Sequence, residues 1–143
     1  MIDVNTGEIV SMVSLPDFDP NKPSSPKDPA RFNRLMTGVF EMGSTFKALT
    51  VAMALDSGKV TMNSTFDATH PLKYGRHTIH DFHPQRRVLS TSEVFTYSSN
   101  IGSARMALAI GVDAHKAFMK KMGLLDRLRT ELPESAMPLV PNP

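Results

Sequence analysis

The sequence predicts a mostly α-helical chain opened by an N-terminal β-hairpin. Three observations carry this. The turn triplet Asn5-Thr6-Gly7 separates two short apolar, β-branched runs, residues 1–4 and 8–13. Three later apolar stretches each stop at a glycine, at Gly58, Gly111 and Gly123, as helices do. Few strand signals occur after residue 14. The run 8–13 is nearly continuously apolar, which predicts a strand covered on both faces.

Residues 16–29 hold five prolines among Asp, Asn, Ser and Lys, so no regular element runs through them. Residues 31–39 read either as a short helix or as an irregular approach to the next element. That element, residues 44–55, is apolar nearly all round from Phe46 to Leu55 except along a line through Ser44, Lys47 and Thr50. Such a helix is expected to be buried. Residues 59–66 read as a turn and a short extended piece. Tyr74-Gly75-Arg76 reads as a hairpin turn, followed by His77-Thr-Ile-His-Asp-Phe-His83. Three histidines spaced by three suggest a metal site if helical. Thr78, Ile79 and Pro84 favour an extended segment, which scatters them over the surface, and no Cys or Glu completes a ligand set. No metal and no cofactor is expected.

Ser90-Thr-Ser-Glu93 matches a capping box and predicts a helix start. Ser98-Ser-Asn100 interrupts that helix, because these side chains compete for local backbone hydrogen bonds. A second helix follows over residues 101–110. A third runs over 114–122 behind Asp113 as its cap, and residues 124–132 form a short amphipathic tail.

At 143 residues the length suits one domain, and the hydrophobic content of 41% with 21% charged residues is that of a soluble globular protein. A net charge of +2 with no basic cluster beyond Arg86-Arg87 or Lys120-Lys121 argues against a nucleic-acid partner. The absence of cysteine excludes disulfides and thiol chemistry. No run of about 18 apolar residues and no signal-peptide pattern occurs. The ends read as cut, which marks the chain as a piece of something larger.

Two constellations carry chemistry. In Glu41-Met-Gly-Ser-Thr-Phe-Lys47, Ser44 and Lys47 lie about one helical turn apart and project from one face. Ser44 falls in the first turn, where unpaired N–H groups and the helix dipole favour developing negative charge. A serine hydroxyl needs a base to act as a nucleophile, and a lysine whose pKa burial lowers supplies one. The alternative is a lysine that snorkels to the surface beside an incidental serine. In Ser98-Ser-Asn100 a loop between helices can aim a hydroxyl and a carboxamide into a cleft. The alternative there is helix capping and turn-making.

Taken together, these motifs resemble the S-x-x-K and S-x-N pair of penicillin-binding proteins and serine β-lactamases. Residues 39–47, Val-Phe-Glu-Met-Gly-Ser-Thr-Phe-Lys, resemble the nucleophile segment of class B penicillin-binding proteins. Asp3-Val-Asn-Thr-Gly-Glu-Ile-Val10 is similar to the opening hairpin of their transpeptidase domain. Phe18-Asp-Pro-Asn21, Asn33-Arg34 and Ser98-Ser-Asn-Ile-Gly102 fall where that family has similar residues. The resemblance covers residues 1–125 and is closest to the cell-division, FtsI-like peptidoglycan D,D-transpeptidases.

The resemblance implies the helical lobe and first hairpin of a β-lactamase/penicillin-binding-protein-like α/β transpeptidase domain, with most of the sheet missing. The implied division is 1–14 hairpin, 15–40 loop, 43–125 helical lobe and 126–143 tail. Ser44 is then the acylated nucleophile and Lys47 its base. Ser98 relays the proton, and Asn100 orients Lys47 and the substrate amide. Ser98, Asn100 and Gly43 form the substrate-binding set. The implied partners are the D-Ala-D-Ala end of a peptidoglycan stem peptide, β-lactams and division proteins. The implied location is the periplasmic face of the bacterial inner membrane, in a membrane-anchored full-length protein. No K-T-G or K-S-G triplet occurs in the sequence. In the family that triplet supplies a carboxylate contact and the second oxyanion donor, so the chain alone is expected to be inactive. Two other readings stand beside this one: a serine β-lactamase or β-lactam sensor, and a non-enzymatic helical interaction module.

Overall fold

A computed structural model gives the fold, and it describes residues 1–22 and 25–140. Positions 23 and 24 of the expected proline-rich loop and 141–143 of the tail lie outside the described residues. The chain divides into two compact units, residues 41–122 and residues 1–40 with 123–143.

The unit of residues 41–122 is helical around two small antiparallel pairings. A 3-10 turn over Gly43–Phe46 runs directly into helix α2, Lys47–Asp56. Strand β1, Thr65–Asp67, pairs with β4, Val88–Ser90, in the register Thr65↔Ser90, Phe66↔Leu89, Asp67↔Val88. Between them β2, Leu72–Tyr74, and β3, His77–Ile79, form a hairpin in which Tyr74 faces His77. Its two-residue turn puts Gly75 at φ +56°, a left-handed value that primed hairpin turns require and glycine takes without strain. Helices α3, Thr91–Thr96, α4, Asn100–Ile110, and α5, Val112–Lys121, follow.

One core ties these elements together. Met53 and Ala54 of α2 meet Phe66 of β1, Leu89 of β4, Val94 of α3, and Ile101, Met106 and Ile110 of α4. Leu89, Val94 and Met106 expose no surface. Burial of such side chains contributes about 1.5–3 kcal/mol each, so this cluster is the main stabilising feature of the unit. Gly102 lets α3 and α4 close on each other: a Cβ there would stand 2.4 Å from Cγ2 of Val94.

The capping box forms in full. Ser90 Oγ accepts from the Glu93 amide and the Glu93 carboxylate accepts from the Ser90 amide, at 3.3 and 2.9 Å. Arg87 adds an ion pair to Glu93 at 2.7 Å. Two expectations need correction. Only Met53 and Ala54 of α2 are buried, so that helix is covered on one side, not all round. Helix α5 begins at Val112, with Gly111 at its N-cap position, which leaves Asp113 inside the first turn and not its cap. The tail of residues 124–132 forms turns and irregular chain. The three histidines lie on an extended segment starting at β3, and among the described residues no group of three His, Asp or Glu could hold a metal ion.

The other unit is built differently. The expected opening hairpin is reduced to one bridge, Ile2↔Ile9, around a turn in which the Asp3 carboxylate accepts from Asn5 and Thr6 amides. Residues 8–13 are not a covered strand: Val10 and Val13 are exposed. The reason is physical: among the described residues this unit holds no further strand that could pair with the run and cover its apolar faces. Residues 29–37 resolve into a 3-10 turn, Pro29–Arg31, capped by Asp28, and a four-residue helix α1, Arg34–Thr37, capped by Asn33. Asn33 also donates to Glu134 at 3.0 Å, and the Ala136 amide donates to the Met36 carbonyl. Among the described residues no helix is long and apolar enough to cross a membrane.

Candidate active site

The predicted site residues all lie within residues 41–122. Gly43 opens the 3-10 turn at φ +57° with no neighbour within 4 Å of a Cβ position. That left-handed step turns the chain into the helix and leaves open space beside Ser44. Ser44 is exposed. Ser44 lies within the 3-10 turn Gly43–Phe46 and Lys47 directly follows it at the head of α2, and among the described residues no hydrogen bond joins their side chains. The Lys47 amide closes this turn on the Ser44 carbonyl.

Lys47 heads α2 and is half-buried. Its Nζ donates to the carbonyl of Ser98 at 2.5 Å and to Ser98 Oγ at 2.9 Å. The structure thus joins the two sequence motifs, 51 residues apart, through the hydroxyl of one and the amine of the other. Burial pushes the Lys47 pKa down from its ordinary value, and the negative charge of Asp81 pulls it partly back. Desolvation is the larger effect, as expected where a cation leaves water without a full ion pair.

Ser98 sits in the break between α3 and α4. Its φ of +52° is a left-handed conformation that costs a residue with a Cβ about 1–2 kcal/mol. The neighbouring contacts hold it there. Its amide donates to the Phe95 carbonyl and that of Ser99 to the Val94 carbonyl, closing the end of α3. Ser99 is buried and caps α4, its Oγ accepting from the Gly102 amide at 2.9 Å. Asn100 stands at the head of α4, and its Nδ2 donates to the His80 carbonyl at 2.8 Å. The expected contact from Asn100 to Lys47 does not form among the described residues. The carboxamide is drawn instead to the segment that follows β3.

That segment carries the residue the sequence did not disclose. The Asp81 carboxylate accepts from Ser99 Oγ at 2.9 and 3.1 Å and from the Ile101 amide at 2.9 Å. Its partners lie 18 and 20 residues away, so no local spacing marks it. The only sequence signal was an isolated acid within a His-rich stretch directly after a hairpin turn.

The assembled geometry is a serine at a helix start, a lysine one turn on with reduced basicity, a second hydroxyl on that lysine, and a carboxamide beside it. Such a set can remove a proton from Ser44 and deliver it elsewhere. Comparison with known proteins shows the family of the chain. The chain is 49% identical over 140 residues to a probable peptidoglycan D,D-transpeptidase FtsI of Caulobacter vibrioides, covering 98% of the chain and 24% of that protein. It is 37% identical over 124 residues to the peptidoglycan D,D-transpeptidase FtsI of Escherichia coli K12, covering 87% of the chain and 21% of that protein. The chain therefore spans about a quarter of the length of these relatives. Among solved structures, Pseudomonas aeruginosa PBP2 in complex with WCK 5153 superposes with a TM-score of 0.77 at 28% identity, covering 98% of the chain and 35% of that protein. The family model for the penicillin-binding protein transpeptidase domain matches residues 1–142, and the chain belongs to that family.

Proposed function

We propose that this chain carries the nucleophile half of a peptidoglycan D,D-transpeptidase centre, with Ser44 as the acylated residue. The observation that carries the reading is the hydrogen bond from Lys47 Nζ to Ser98 Oγ, with Ser44 three residues before Lys47 at the start of the same helical run. Neutral Lys47 takes the Ser44 proton as Oγ attacks the carbonyl carbon of the penultimate D-Ala of a stem peptide. The Ser44 amide supplies one oxyanion donor. The C–N bond to the terminal D-Ala then breaks, and the proton passes from Lys47 through Ser98 to the leaving amine. An acceptor amine from a neighbouring stem attacks the ester, the Ser44 C–O bond breaks, and the proton returns to Ser44. Gly43 leaves room for the acyl group. Asn100, held by His80, faces the substrate amide rather than Lys47. A β-lactam follows the same first step, but its ring nitrogen stays tethered and the ester persists.

The reading extends to septal wall synthesis at the periplasmic face of the inner membrane with division-protein partners, supported by the similarity to the two FtsI proteins. The depressed Lys47 pKa sets the pH dependence. The base works only when neutral, so acylation rises with pH through the Lys47 pKa, and that limb lies below the range of an ordinary lysine. Mass spectrometry after incubation with a β-lactam tests the assignment. The full-length protein should gain one adduct on Ser44, absent in Ser44→Ala and strongly slowed in Lys47→Ala. The 143-residue chain alone should acylate slowly or not at all, since it contains no K-T-G or K-S-G. Full-length protein that forms no Ser44 adduct sinks the reading, and rapid release of the opened β-lactam replaces it with a β-lactamase.

A further inference from the structure

We propose that Asp81 is a positioning residue of this centre: through Ser99 and Ile101 its carboxylate holds the turn that keeps Ser98 Oγ against Lys47. The inference rests on the acylation reading above. Three facts support it. First, Ser98 occupies a left-handed conformation, φ +52°, that its own side chain does not favour, so something outside the residue must hold it. Second, two consecutive residues grip the segment that follows. The His80 carbonyl takes Asn100 Nδ2 at 2.8 Å, and Asp81 takes Ser99 Oγ and the Ile101 amide at 2.9 Å each. Third, the gripped groups are buried: Ser99 and Ile101 are each 2% exposed, so water does not replace a lost acceptor.

The arrangement is a relay of positions. Asp81 receives the single Ser99 hydroxyl proton, shared between its two oxygens, and this leaves a Ser99 Oγ lone pair for the Gly102 amide. The Ser99 carbonyl in turn accepts from the Ser103 amide and hydroxyl. The first turn of α4 is thereby locked onto residues 80–81, and Ser98, one residue earlier, has its carbonyl and hydroxyl presented to Lys47. Asp81 touches neither Ser44 nor the groups that exchange protons, so its part is placement. Its charge also acts on Lys47 in the opposite sense, favouring the protonated amine. The two effects separate by substitution. Asp81→Asn keeps an oxygen for Ser99 and Ile101 and removes the charge; Asp81→Ala removes both.

The test uses the full-length protein and a fluorescent β-lactam, resolving the non-covalent binding constant from the acylation rate constant. Asp81→Ala should lower the acylation rate constant by at least about tenfold, because a misplaced proton relay costs rate steeply, and leave non-covalent binding near the parent value. Asp81→Asn should acylate near the parent rate. Thr91→Val, which removes a buried bond from Thr91 Oγ1 to the Thr61 carbonyl, is the stability control. It should lower Tm without slowing acylation. Hydrogen exchange gives a readout independent of chemistry: protection of the Ile101 amide should be lost in Asp81→Ala and kept in Thr91→Val. The inference is overturned by parent-rate acylation in Asp81→Ala, by equal slowing in Thr91→Val or Asp81→Asn, or by unchanged Ile101 protection. An adduct that forms elsewhere than Ser44 overturns the acylation reading instead, and Ile101 exchange then decides the clasp by itself.

Discussion

Residues 41–122 and the unit made of residues 1–40 with 123–140 have similar apolar patterns in sequence and opposite fates in space. The first contains every member of the packed core; in the second Met36 is the buried hydrophobic residue. The difference does not lie in the proportion of apolar residues, which is similar in the two. It lies in whether a second element is present to cover them. Leu89 on β4 packs with α3, α4 and its strand partner β1, whereas Val10 and Val13 follow a single bridge and stay exposed. The site sits at the edge of the covered unit, with Ser44 exposed and Lys47 half-buried. A lysine can be desolvated, and a strained serine held, only inside a frame that does not yield.

Substitutions sharpen this contrast. The largest expected effect is at Leu89, fully buried between the elements. Leu89→Ala should cost about 2–5 kcal/mol by opening a cavity, read as a lower denaturant midpoint for the unit of residues 41–122. Gly102→Ala comes next. A Cβ would meet both γ-carbons of the fully buried Val94, at 2.4 and 2.8 Å. The helix-propensity gain of about 1 kcal/mol is outweighed where the added methyl has no room, and a net loss of about 1–3 kcal/mol is expected. Because Gly102 accompanies the Ser98 turn, acylation should slow as well. A parent-like Tm in this variant would show that α3 and α4 are not in tight contact.

Smaller effects come from the capping box. Ser90→Ala should cost about 1 kcal/mol, the usual worth of a side-chain N-cap, by chemical denaturation. Its partner Glu93 has its pKa lowered from 4.5 to about 2, chiefly by the Arg87 hydrogen bond and then by the Ser90 amide. The folded pKa lies below the unfolded one, so this contribution is fully present above pH 4.5 and is lost as pH falls through about 2. In Glu93→Gln the stability difference from the parent should shrink over that window. A difference that stays constant down to pH 2 would sink the assignment. The smallest effect belongs to the other unit: Val13→Ala, at 73% exposed, should change stability by no more than about 0.5 kcal/mol. A large loss there would break the comparison, because it would reveal cover over residues 8–13.

Local features were legible in the sequence because their partners lie within one helical turn. The capping box at Ser90 and Glu93, the break at Ser98 and the helix end at Gly111 follow from side chains reaching three or four residues. The spacing of Ser44 and Lys47 at the start of one helical run was legible for the same reason. Burial was not. The all-round apolar pattern of residues 46–55 suggested a helix sealed on every side, yet Leu55 is exposed and only Met53 and Ala54 are buried, since coverage depends on which neighbours exist. The apolar run 8–13 misled in the same way.

By itself, then, the sequence determined which residues are candidates for chemistry: a serine and a lysine one turn apart, and a second serine and an asparagine at a helix break. Spacing along a chain of known pitch is enough for that. Only the tertiary structure decided that Lys47 answers to Ser98, that Asn100 answers to His80, and that Asp81 stands behind both. Those partners are 18 to 51 residues apart. Contacts at such separations are settled by the closing of a common core around β1, β4 and α4, and no periodicity in the chain encodes them.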